Sequence, residues 1–148
     1  MTIGSVVLTP GSAYAVTGGV AALDLSAQDL SDAQWTARVS LEIAEAHGQG
    51  AVEPPLLLVL SGGAAVHAPH LGFAQRSARR AVGGYVLVDP ALPRPGAASD
   101  WPDAPVTVII TPQADDDIRS AALGARLRGW EVREGDADQI VSEIATRP

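Results

Sequence analysis

The sequence predicts an α/β fold: a mainly parallel sheet of about six strands with helices on both faces. Two patterns lead there. Short apolar runs alternate along the chain with stretches of helical periodicity, as expected when strands and crossover helices follow one another. In addition, "LLLVL" from Leu56 to Leu60 is apolar at every position. A strand that faces solvent on one side alternates polar and apolar residues, so an unbroken run belongs to a strand covered on both faces, the habit of parallel sheets. The 148 residues, 47% of them hydrophobic, can bury a substantial core. A single domain over 1–148 is the expectation at this length.

The elements follow in order. "SVVLT" (Ser5 to Thr9) reads as a strand stopped by Pro10-Gly11, and "VAALDL" (Val20 to Leu25) as a second. Ser31 opens a helix. Ser31 and Gln34 have capping-box spacing, and Trp35, Val39, Ile43 and Ala46 recur on one face. Gly48 is the expected end cap. After the strand Leu56–Leu60, a helix is expected from about Gly63 to Arg79, kinked or broken near Pro69, because an internal proline costs about 3 kcal/mol. "YVLVD" (Tyr85 to Asp89) is the next strand, followed by a Pro-rich loop over 91–104 and the strand "PVTVIITP". "DDDIRSAALGARLRG" has acids at its start, arginines near its end and Gly129 as a stop, which suits a helix dipole. Trp130 to Arg133 forms a last short strand. Asp136 or Asp138 caps a final helix through Ile140, Val141 and Ile144.

Composition removes several function classes. The formal net charge is −7, which argues against a nucleic-acid partner. All ten cationic residues are arginine, and there is no cysteine, so disulfides, thiolate metal sites and a cysteine nucleophile are absent. The first arginine is Arg38, so no basic leader is apparent. No apolar run reaches the roughly 20 residues of a membrane span. A cytoplasmic protein with no membrane partner and no cofactor is expected. There is no G-x-G-x-x-G and no P-loop lysine to support nucleotide binding.

The chemistry centres on Ser61, which follows the apolar strand in "LLLVLSGGAA". That stretch, with "GGYVLVDPALPRPG", "DWPDAPVTVIITP" and "RLRGWEVREGD", resembles the α/β-hydrolase superfamily, in particular its small bacterial members, from about Pro54 onward. The resemblance implies a reduced, capless hydrolase-like fold acting on or binding a small acyl, ester-type or apolar ligand. Ser61 corresponds to the nucleophile of G-x-S-x-G, with Gly62 and Gly63 following it. The acid corresponds to Asp89 or to one of Asp115, Asp116 and Asp117, with Asp116 central. The oxyanion hole would use the amide of Gly62 and another from Gly11, Ser12 or Ala13; Pro10 has no N–H. Loss of the lid would expose apolar surface and favour a homodimer.

The sequence also departs from that pattern. Val59 replaces the leading glycine of the motif, and little chain separates the first two strands for the usual first helix. The histidines are His47, His67 and His70, with none beyond, so the order serine, acid, histidine is not available. His67 and His70 lie six and nine residues after Ser61, roughly 9 and 13 Å along a helix. A general base must come within about 3 Å, so His70 could serve only if a break at Pro69 folded it back. No carboxylate cluster accompanies this histidine pair, so no metal site is expected. Simpler roles exist for each residue. Asp115–Asp117 suit a helix N-terminus, Asp89 suits a turn at Pro90, and His47 suits a helix C-terminus. "SGGAA" could also be an anion-cradling turn in a generic doubly wound fold. The alternative function is a non-hydrolytic relative that binds, cyclises or isomerises a ligand in the same pocket, or a partner-binding scaffold.

Overall fold

The computed structural model describes residues 2–25, 31–93 and 101–147. A six-stranded, all-parallel sheet has the order β2-β1-β3-β4-β5-β6. The strands are β1 (Ser5–Leu8), β2 (Ala21–Asp24), β3 (Leu56–Ser61), β4 (Val82–Val88), β5 (Val106–Ile110) and β6 (Glu131–Glu134). The helices are α1 (Asp32–Gly48), α2 (Ala68–Ser77), α3 (Asp116–Leu127) and α4 (Ala137–Ala145), with a 3₁₀ helix at Gly62–His67. Of the Pro-rich stretch 91–104, residues 94–100 lie outside the described residues.

β3 is an interior strand, as its composition requires. Leu56, Leu58 and Leu60 join one apolar cluster with Trp35, Val39 and Ile43 of α1, Leu71 of α2 and Ala122 and Ala125 of α3. Leu57 and Val59 point the other way, into a cluster with Ile140, Val141 and Ile144 of α4. The period-2 alternation of a strand thus divides one apolar run between two cores. All of Leu56–Leu60 is at most 1% exposed, and burying each such side chain contributes about 1.5–3 kcal/mol.

Three helices cover one face and one covers the other. The remainder of the α4 face is closed by the connection between β1 and β2, which forms no helix. Tyr14, Val16 and Val20 from this connection pack against the α4 cluster. Part of its backbone is tied to α4. Ala15 N–H donates to Asp138 Oδ1 (3.0 Å) and Thr17 N–H to Ser142 Oγ (3.0 Å). These bonds satisfy amides that a helix would have paired internally.

Several local expectations are corrected. Ser31 is the N-cap of α1, but its side chain makes no cap bond; the capping box does not form, and Gln34 N–H donates to the Ser31 carbonyl instead. Gly48 is the last helical residue rather than the stop; Gln49 is the C-cap and Gly50 takes the positive φ of +77°. The helix expected from Gly63 does break near Pro69, between His67 and Ala68, and its first part is 3₁₀ rather than α. The chain runs as 3₁₀ to His67, and Pro69 then sits in the first turn of α2, where its missing N–H costs nothing. Gly129 does end α3, at φ +80°.

Gly72 of α2 marks the closest helix–sheet contact. A Cβ there would overlap the hydroxyl of Tyr85 and lie 2.8 Å from its Cζ. Tyr85 is 1% exposed and donates to Asp103 Oδ1 at 2.7 Å. Gly72→Ala is therefore expected to destabilise the fold by about 2 kcal/mol, overpacking outweighing the gain in helix propensity. Gly63→Ala, whose Cβ meets nothing within 4 Å, should change stability by less than about 0.5 kcal/mol. Urea unfolding of both variants measures the difference.

Candidate functional site

Strand order reverses between β1 and β3. The chain leaves β1 toward β2 on one side, and β3 is followed by β4, β5 and β6 on the other. The segment after β1 packs with α4, while the segment after β3 enters the cluster on the opposite face. The two carboxyl ends part company here, and such a switch point is where open α/β sheets hold their ligands.

Ser61 stands at this point, as the last residue of β3. Its Oγ lies 2.8 Å from Ser12 Oγ and 2.9 Å from Tyr14 OH, both from the segment after β1. Thr9 anchors that segment. Its N–H (3.2 Å) and its Oγ1 (2.7 Å) both donate to the Val59 carbonyl, and Ser12 N–H donates to the Thr9 carbonyl (2.9 Å). Ser12 is buried and Ser61 and Tyr14 are half-buried. Burial raises the Tyr14 phenol above its ordinary value of 10.0; the bond with Ser61 opposes this, and the charges of Asp89 and Asp138 add to it. Tyr14 is thus a protonated hydroxyl near neutral pH, and not a base.

The backbone at Ser61 is extended (φ −125°, ψ 146°), and the positive φ of +57° falls on Gly62. The strained turn that would push a serine out of its strand is not present at Ser61 itself. Gly62 absorbs the change of direction, because only a residue without Cβ does so cheaply. Gly63 is exposed in the 3₁₀ helix.

Asp89 lies one residue beyond Val88, the β4 partner of Ser61. Its φ is +44°, an uncommon conformation for a residue with a side chain. Asp89 Oδ1 accepts from Thr111 N–H (2.9 Å) and Oδ2 from Thr111 Oγ1. Its own N–H donates to the Ile109 carbonyl (2.9 Å), and Ala91 N–H donates to the Gly62 carbonyl (3.0 Å). Asp89 therefore clamps the ends of β4 and β5 beside the Ser61 turn, a role beyond that of a cap for Pro90.

The other candidates lie apart. Asp115 is the N-cap of α3 and accepts from Ile118 N–H at 2.9 Å. Asp116 and Asp117 are exposed in the first turn, and neither is hydrogen-bonded to the serine cluster. His67 stacks on Trp35 (centroids 4.6 Å apart) with Nε2 3.5 Å from Asp32 Oδ1. His70 is exposed beside the α1–α2 groove that Asp32, Thr36, Ser40 and His67 also line. The break before Pro69 does not fold either ring back to Ser61. His47 occupies the last turn of α1. Ser12 takes part through its hydroxyl, because its amide is used in the turn with Thr9; Gly11 lies in that turn at φ +88°. Among the described residues, no group of three or more potential side-chain ligands could hold a metal ion, and no helix is long and apolar enough to cross a membrane.

Sequence reasoning missed Tyr14 and Thr111. Tyr14 was open to discovery as one of two tyrosines in the chain, placed just after a strand of the switch point. Beside the cluster is a cavity of ≈ 380 Å³ lined by Ala13, Tyr14, Thr111, Gln113, Asp136 and Asp138, among others. Asp136 caps α4 by accepting from Asp138 N–H.

Two measurements follow from this geometry. Asp115→Ala is expected to cost about 1 kcal/mol through loss of a helix cap, whereas Asp116→Ala should cost less than about 0.5 kcal/mol; chemical denaturation separates them. Alkaline pH should destabilise the fold. Burial, with the bond to Asp103 next in size, raises the Tyr85 phenol far above its ordinary 10.0, and Tyr14 is raised as well. Above that ordinary value the unfolded chain binds fewer protons than the folded one, so stability is full below pH 10 and falls as pH rises beyond it. Denaturant unfolding between about pH 8 and about pH 11 should show this decline, with a shallower slope in Tyr85→Phe.

No family model matches the chain, and neither a curated protein nor a solved structure matches it.

Proposed function

We propose that this chain is an α/β-hydrolase-like protein that binds a small acyl-type or apolar ligand at the switch point without hydrolysing it. The observation that carries the reading is the pair of partners at Ser61 Oγ. Both are hydroxyls, Ser12 at 2.8 Å and Tyr14 at 2.9 Å. A serine becomes a strong nucleophile when a neighbouring base removes its proton, and a hydroxyl with an ordinary or raised pKa cannot do so near neutral pH. His67 is engaged with Trp35 and Asp32. The all-parallel sheet is compatible with the superfamily's architecture, and the extended backbone of Ser61 favours a fixed hydrogen-bonding group over an exposed nucleophile.

In this reading Ser61, Ser12 and Tyr14 form a hydroxyl platform, and Asp89 holds the neighbouring strand ends through Thr111. A serine-reactive fluorophosphonate probe is expected to label the protein at the rate of an unactivated alcohol, and activated esters should turn over barely above background. Ser61→Ala should fold and lose about 1 kcal/mol of stability as Ser12 and Tyr14 lose a partner. Rapid stoichiometric labelling, abolished in Ser61→Ala, would overturn the reading and require a base from His67, His70 or a neighbouring subunit.

A further inference from the structure

The three hydroxyls form a chain whose protons can be counted. Ser12, Ser61 and Tyr14 each bring one proton, and two hydrogen bonds link them. Ser61 can donate to one neighbour and accept from the other, or accept from both through its two lone pairs. Two links use two protons, and the third is free to bond elsewhere. At the Ser12 end the acceptor is Thr9 Oγ1, at 3.5 Å, well beyond an ordinary O–H···O bond. At the Tyr14 end lies the cavity of ≈ 380 Å³. None of the described hydrogen bonds has Tyr14 donating to a carboxylate. In the order Ser12 to Ser61 to Tyr14 the spare proton is on the phenol, the hydroxyl whose residue lines this cavity.

We propose that the Tyr14 hydroxyl donates the recognition hydrogen bond to the carbonyl oxygen of an uncharged ligand, a ketone, amide or ester, and that the site rejects carboxylates. This rests on the non-hydrolytic reading. The rejection follows from the cavity wall. Asp136 and Asp138 line it, and no arginine does. Asp138 Oδ1 takes the Ala15 amide and Asp136 Oδ1 the Asp138 amide. A carboxylate entering here would meet two like charges, while the nearby guanidinium of Arg119 is already engaged by Glu134 and the Thr111 carbonyl, a repulsive element that discriminates against anions. Burial keeps the proton on Tyr14, so the donor persists through neutral pH.

The test is an amide chemical-shift titration of the ¹⁵N-labelled full chain at neutral pH, with cyclohexanone and with cyclohexanecarboxylate as probes. Cyclohexanone is expected to shift the amides of Ala13 to Ala15, Gln113 and Asp138, and cyclohexanecarboxylate to bind at least about tenfold more weakly. Tyr14→Phe keeps the ring and loses the donor, so it should weaken cyclohexanone about fivefold; its amide spectrum reports whether it is folded. Asp138→Asn keeps an acceptor for Ala15 and should narrow the gap between the probes about threefold or more. No shift with cyclohexanone, equal binding of the two probes, or unchanged binding in Tyr14→Phe would each overturn the proposal. Neither titration involves covalent chemistry. Rapid fluorophosphonate labelling of Ser61 would therefore sink the non-hydrolytic reading separately, whatever the ketone does.

Discussion

Burial of β3 on both faces is the constraint from which the rest of the architecture follows. Leu56, Leu58 and Leu60 need one apolar layer and Leu57 and Val59 need another. A strand in that position has hydrogen-bonded neighbours on both sides, here β1 and β4. Parallel neighbours need crossovers that cover the faces, and α1, α2 and α3 supply one layer while α4 begins the other. Placing β1 next to β3, with β2 outside it, makes the chain reverse its direction of travel across the sheet. That reversal opens the crevice in which Ser61 stands.

A short connection between β1 and β2 then decides the site's chemistry. Had a helix followed β1, its amides would have paired within it. Thr9–Val20 instead borrows acceptors from α4, through Asp138 and Ser142. This holds Tyr14 against Ser61, and it places a phenol where a catalytic serine would need a base. The same α4 N-terminus contributes Asp136 and Asp138 to the adjoining cavity. One structural economy therefore sets both the partners of Ser61 and the carboxylates beside them. Asp89 belongs to this arrangement through Thr111, in a conformation that costs energy and is held by bonds to the ends of two strands.

Much of the fold was legible in the sequence, because strand and helix periodicities are local and their apolar positions must find a core. The unbroken run of Leu56–Leu60 announced an interior strand. Trp35, Val39, Ile43 and Ala46 announced the buried face of α1, and all four are buried. Element ends were less legible. The capping box at Ser31 and the stop at Gly48 depend on side-chain and backbone conformations that residue type alone does not set; the Ser31 side chain makes no cap bond, and Gln49 and Gly50 end the helix.

The sequence by itself determined the class of fold, the strand count, the prominence of Ser61 and the lack of a histidine beyond position 70, since each depends on residue type and order alone. Only the tertiary structure decided what Ser61 touches. Ser12 and Tyr14 are 49 and 47 residues from it in the chain, and Thr111 is 22 from Asp89. Contacts over such separations depend on which strands become neighbours and on which face each connection takes. Those choices are made by the packing of whole elements against one another, and no local pattern of residues encodes them.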